Sequence, residues 1–149
     1  MEFIHPLTGA KANGHYTPGV ISGNCLYVSG QLPVNPATDK IEGGIGEQVM
    51  QALNNVDGIL AAAGLTRNNV ALCRVYIPDV AYWDEVNEVY TAFFGEHKPA
   101  RVVVPCNKLH KDALVEIEAV AELPDASRNS TQTSYRLETR ICLVRYRNL

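Results

Sequence analysis

Arg101 lies between Pro99-Ala100 and the apolar run Val102-Val103-Val104, and two carboxylates follow in Val115-Glu116-Ile117-Glu118-Ala119. A permanent cation and two acids thus fall in two strand-like segments, expected to be adjacent, whose other residues are almost all apolar. A charge in such a place is costly unless something pairs with it. One partner would be structural. If the two segments pair as a hairpin, the simplest register puts residues 101 and 103 on the face of 116 and 118, and an Arg101–Glu116 or Arg101–Glu118 ion pair results. The other partner would be a substrate. The guanidinium is a planar fork of donors suited to a carboxylate, so Arg101 could anchor an anionic small molecule while a glutamate orients water or moves a proton. Composition alone favours the ion pair.

Polar, glycine-bracketed segments surround this pair. Asn13-Gly14-His15-Tyr16-Thr17-Pro18-Gly19 reads as a loop carrying an imidazole and a phenol. Ser29-Gly30-Gln31 closes a strand but is no nucleophile elbow, since G-x-S-x-G is absent. Gly43-Gly44-Ile45-Gly46 opens a helix, where an anion site is conceivable, but it lacks the P-loop lysine, and flexibility at the helix entry is the simpler reading. Cys25, Cys73, Cys106 and Cys142 are widely spaced, with no C-x-x-C pair and no histidine at metal-ligand spacing. Buried, reduced thiols are expected and no metal site is.

The elements that must position these groups are legible in the periodicities. Cys25–Gly30 reads as a strand after the turn Gly23-Asn24, with Pro33 and Pro36 ending it and turn residues at 35–39. Ile45, Val49, Ala52, Leu53, Val56, Ile59, Leu60 and Ala63 follow helical spacing over about five turns, with Gly64 as the stop. Val70–Ile77 is expected as a central strand covered on both faces. Trp83, Val86, Val89, Tyr90, Phe93 and Phe94 mark a second amphipathic helix ended by Gly95. Strands at 100–104 and 114–122 flank a turn at 109–112. The predicted class is α+β, two helices on one face of a mixed sheet. In the last strand Val115, Ile117, Ala119 and Ala121 suit the helix side. Leu114, Glu116, Glu118 and Val120 suit a subunit interface containing a polar pocket better than bare solvent.

The 149 residues suffice for one domain with a real core, and 46% hydrophobic with 19% charged residues describes a globular protein. No apolar run approaches the ~20 residues that span a membrane. Residues 1–6 lack the basic and apolar regions of a signal peptide, so a cytoplasmic location is expected. The composition divides the chain into a domain, 1–123, and an extension, 124–149, read as a linker plus a short strand at Ile141–Val144 or disorder. The extension holds five arginines against Asp125 and Glu138, a local +3, which leaves −6 on residues 1–123. An acidic body argues against a broad nucleic-acid surface.

Five blocks in order carry more than any single motif: Gly14-His15-Tyr16, Val28-Ser29-Gly30-Gln31-Leu32-Pro33, Val86-Asn87-Glu88-Val89-Tyr90 with Phe93-Phe94, Pro99-Ala100-Arg101, and Val115 to Ala119. Over roughly residues 10–122 the chain resembles the RidA/YjgF family of reactive-intermediate deaminases. The resemblance implies a chorismate-mutase-like α+β fold and a homotrimer with clefts between subunits. It also implies hydrolysis of 2-imino acids or their enamine tautomers to 2-oxo acids and ammonia, with no metal or organic cofactor. Carried over by position, Arg101 would bind the substrate carboxylate and Glu116, from a neighbouring subunit, would position or activate water. Tyr16 and the backbone around Val103 would line the cleft, and Ser29, Gly30 and Asn87 would shape or support it. Departures point to a less-characterised branch: Val103 where many members have cysteine, His15 where proline is usual, a shorter rim at Glu96-His97-Lys98, and an extension without counterpart. The resemblance favours the substrate over the ion pair for Arg101 and leaves Glu118 structural. The alternatives are a trimeric, non-catalytic binding module for a carboxylate metabolite and RNA cleavage, for which some relatives are named.

Overall fold

Alternating and helical apolar spacings each find their element in the structure, a computed structural model that describes residues 1–9 and 11–125. Strands β1 (Glu2–Ile4), β2 (Gly19–Ser22) and β3 (Cys25–Gln31) are followed by a small hairpin, β4 (Val34–Asn35) and β5 (Lys40–Ile41). Then come helix α1 (Ile45–Ala62), strand β6 (Val70–Ile77), helix α2 (Trp83–Phe94), β7 (Ala100–Pro105) and β8 (Glu116–Glu122). The described residues form a six-stranded sheet in the order β1-β2-β3-β8-β6-β7, apart from the β4–β5 pair. Both helices stop at left-handed glycines, Gly64 (φ 71°) and Gly95 (φ 60°), a conformation that costs other residues more.

The core forms where apolar faces meet. Val49, Leu53, Val56 and Leu60 of α1 and Val86 and Phe93 of α2 pack with Leu26, Val28, Val75, Ile77, Ile117 and Ala119 of the sheet. Strand β8 alternates as expected, its odd-numbered residues buried and its even-numbered ones half-buried. The fold is the α+β arrangement expected from the sequence.

Strand adjacency differs from expectation. β7 and β8 are not neighbours. β6 lies between them, parallel to β7 and antiparallel to β8. Helix α2 provides the crossover that parallel strands require, which carries β7 to the sheet edge, while β8 inserts between β3 and β6. β6 is likewise not covered on both faces in one chain: Cys73, Val75 and Ile77 are buried, whereas Arg74 is exposed. β1 and β2 are additional strands of three and four residues, too short to show a period. The expectations for residues 126–149 lie outside the described residues.

The face of the sheet away from the helices carries an apolar row. Phe3, Val20, Tyr27, Val120 and Leu72 stand in register on five successive strands. Phe3 and Tyr27 are 62% and 50% exposed.

Candidate active site

Two separate groups of side chains contain the residues singled out in the sequence. The first is built on β3. Between Val28 and Gln31 this strand advances three residues while β8 advances two, from Ala119 to Ile117. The extra residue is a β-bulge at Ser29-Gly30. It breaks the alternation, so that Gln31 is buried as Leu26 and Val28 are, and Gly30 abuts Glu116 on β8. The Ser29 amide donates to the Pro18 carbonyl (2.9 Å) and its hydroxyl to the Thr17 carbonyl (2.6 Å), which laces the Tyr16 loop to the strand.

Buried amides fix the same region from the helix side. Gln48 accepts from the Leu114 amide (2.8 Å) and donates to the Gly43 carbonyl (3.0 Å), joining the entry of β8 to the start of α1. Asn55 donates to the carbonyls of Leu32 (2.9 Å) and Val34 (3.0 Å), which holds the chain leaving β3. The result is a cleft of about 460 Å³ whose lining includes Tyr16, Ser29, Gly30 and Glu116, within the usual range for small-molecule sites. Burial pushes the Glu116 carboxyl above the usual range; Glu118 pushes it the same way and His110 opposes.

The second group is built on β7 and α2. Arg101 donates to Asn87 Oδ1 (3.0 Å), and its guanidinium carbon lies 4.8 Å from the Tyr90 ring centroid and 5.6 Å from that of Trp83. Trp83, Asn87 and Tyr90 recur at i, i+4 and i+7, one face of α2, and so form a clamp on the guanidinium. Among the described residues Arg101 has no carboxylate within ion-pair distance. Val103 follows two residues on and packs against the core. The nearby Cys73 thiol is buried, and that burial raises its pKa to about 11, which makes it inert as a nucleophile.

Neither ion pair considered for Arg101 forms. Glu118 pairs instead with Arg74 at 2.6 Å, opposite it across β6 and β8. Arg101 stands beside Cys73 and Glu116 beside Tyr76 on the intervening strand. Positions 73 and 76 differ by an odd number, so Arg101 and Glu116 lie on opposite faces of the sheet. One chain therefore brings Tyr16, Ser29, Gly30 and Glu116 together in one cleft and Arg101, Asn87 and Val103 together at the β7 edge, without joining the two sets. Sequence reasoning missed Arg74, Gln48, Asn55 and the Trp83–Tyr90 clamp. Only the clamp had a readable signal, the spacing of residues 83, 87 and 90 on a helix. Among the described residues no three His, Cys, Asp or Glu side chains gather where they could hold a metal ion.

Fold and site together define a class, an α+β protein with a cleft of small-molecule size on one sheet face and, on the other, a clamped guanidinium that has no carboxylate partner among the described residues. The family described as Endoribonuclease L-PSP matches residues 8–123. A RutC family protein of Pyrococcus horikoshii is 43% identical over 121 residues, 80% of this chain and 96% of its own length. The 2-iminobutanoate/2-iminopropanoate deaminase of Escherichia coli K12 is 42% identical over 113 residues, 74% of this chain and 88% of its own. The crystal structure of E. coli TdcF with bound serine superposes with a TM-score of 0.80 at 36% identity, covering 83% of this chain and 100% of that one. The chain belongs to the YjgF/RidA family, with its chorismate-mutase-like fold.

Proposed function

We propose that the protein is a hydrolase of small 2-imino acids and their enamine tautomers, yielding 2-oxo acids and ammonia in clefts between copies of the chain. The observation that carries this reading is the separation of the site into two incomplete halves. A clamped guanidinium with no carboxylate partner among the described residues sits at the β7 edge, and a glutamate with a raised pKa sits in a cleft on the other face. Joining different patches on successive copies is a heterologous contact, which forms a ring where the rotation between copies closes. A homotrimer fits, and the apolar row from Phe3 to Leu72 gives such a ring a surface to bury. The relative named as an iminobutanoate deaminase supports the chemistry.

In this reading Arg101 takes the substrate α-carboxylate, at about 1.5–3 kcal/mol per charge-assisted hydrogen bond. Glu116 of a neighbouring copy holds a water at the imine carbon. The iminium C=NH2+ is already electrophilic. The water oxygen bonds to carbon, Glu116 accepts a water proton, and that proton passes to nitrogen. The C–N bond then breaks as Glu116 removes the hydroxyl proton and passes it to the departing ammonia, so that iminium and water become ketone and ammonium. Burial raises the Glu116 pKa, which makes the carboxylate a stronger base toward the water proton than an exposed glutamate. Val103 supplies backbone and apolar packing, and no thiol takes part.

The test couples the protein to an amino-acid oxidase and follows 2-oxo acid release. Acceleration over spontaneous hydrolysis that Arg101→Ala abolishes is expected. A rate equal to the spontaneous one rejects the deaminase. The structure of TdcF with bound serine favours a second reading, a carboxylate-binding module without turnover. Its mark is binding of a 2-oxo acid, lost in Arg101→Ala, with no acceleration.

A further inference from the structure

The Glu116 cleft carries more positive charge than a monocarboxylate substrate requires. Lys11, His110 and Lys111 line it together with Glu116 and Glu118. Glu118 is neutralised by Arg74. Lys108 pairs with Asp112, but Lys11 and Lys111 make no ion pair among the described residues, with Glu116 or any other carboxylate. The cleft therefore holds two uncommitted ammonium groups and an imidazole beside one carboxylate. If Arg101 takes the α-carboxylate, none of these cations is used by the reaction.

The backbone at this wall is also unusual. Lys111 (φ 56°, ψ 28°) and Asp112 (φ 56°) are consecutive non-glycine residues in the left-handed region, which is costly for L side chains. The Lys108–Asp112 ion pair at 2.5 Å closes the turn. Lys111 lines the cleft from this turn.

We infer that the cleft is built for 2-imino acids bearing a second anionic group, with Lys11 and Lys111, assisted by His110, receiving the distal anion. The simplest such substrate is the imine of an acidic amino acid, a 2-imino dicarboxylate. The inference rests on the deaminase reading for the orientation of the substrate, α-carboxylate on Arg101 and distal carboxylate on the lysine wall. Lys11 and Lys111 are exposed at the rim, so a distal carboxylate gains two cationic partners that a neutral side chain cannot use, and the rim favours the acidic substrate.

The experiment compares kcat/KM for the imine of glutamate with that for the imine of alanine, each generated by an oxidase. The wild type is expected to favour the acidic imine. Lys111→Met should lower that preference roughly tenfold to a hundredfold, the range for a lost charge-assisted contact. Lys11→Met should lower it by a smaller factor, which keeps the test open if the strained turn does not tolerate the first change. A preference near unity, or one that neither variant alters, overturns the inference and leaves the deaminase standing. If neither imine is hydrolysed, the deaminase reading falls and calorimetry decides on the rim alone. Tighter binding of 2-oxoglutarate than of 2-oxobutanoate, weakened by Lys111→Met, supports it, and equal affinities overturn it.

Discussion

Gly30→Ala isolates the geometry of Glu116 from the stability of the fold. A Cβ on Gly30 would overlap Oε1 of Glu116 and come within 3.2 Å of its Cδ and 3.4 Å of its Cγ. The obstacle is the end of a half-buried, rotatable side chain, not backbone. The fold should therefore yield little, about 1 kcal/mol or less. The carboxylate must instead swing aside, and a displacement of about 1 Å in a reacting group costs on the order of a hundredfold in rate. The expected result is a fall in kcat of about a hundredfold with an almost unchanged melting temperature. A double-mutant cycle sharpens the attribution. Glu116→Asp shortens the side chain and vacates the colliding position, so adding Gly30→Ala to it should cost no more than about threefold. The assay is 2-oxo acid release from an oxidase-generated imine, with a thermal melt alongside. The reasoning is refuted if Gly30→Ala keeps more than about half the wild-type rate, or if it costs as much in the Glu116→Asp background as in the wild type.

Three further outcomes follow from the same geometry. Asn87→Ala removes the 3.0 Å contact to Arg101 and should raise KM about tenfold with a smaller change in kcat, as steady-state kinetics would show. Burial holds the Glu116 carboxyl above its unfolded pKa, so the folded state binds the extra proton and stability falls as pH rises through that raised pKa. Glu116→Gln should accordingly raise the melting temperature at about pH 7.5 and change it little below about pH 4, where the carboxyl is protonated in both states. Asn55→Leu strips the buried carbonyls of Leu32 and Val34 of their donor and should destabilise the chain by about 2–3 kcal/mol in urea unfolding.

The sequence made both helices legible because a 3.6-residue period and a terminal glycine are local signals. Val70–Ile77 was readable as a strand to the residue because an apolar run ended by Pro78-Asp79 is also a local signal. Which strand lies beside which is a non-local property. The hairpin expected between Arg101 and Glu116 gave way to a parallel β6–β7 pair because α2 returns the chain in the same direction, a consequence of tertiary packing and not of either strand's composition. The family blocks named Tyr16, Ser29, Gly30, Asn87, Arg101 and Glu116, but not the bulge that turns Gly30 toward Glu116. That bulge is one extra residue in a pairing register, which no local pattern marks. The left-handed pair Lys111-Asp112 carries no glycine or asparagine to signal it. The partner of Glu118 was missed because Arg74 stands in a strand whose apolar content masked its exposed face.

Subunit complementation tests the central claim, that Arg101 of one copy works with Glu116 of another. Arg101→Ala and Glu116→Ala proteins, each inactive alone, are unfolded together, refolded as an equimolar mixture and assayed for imine hydrolysis. A cleft shared between copies requires that Arg101 come from one variant and Glu116 from the other, so random assembly should restore about a quarter of the wild-type activity. No recovery in mixed assemblies, with both variants incorporated, would contradict the account.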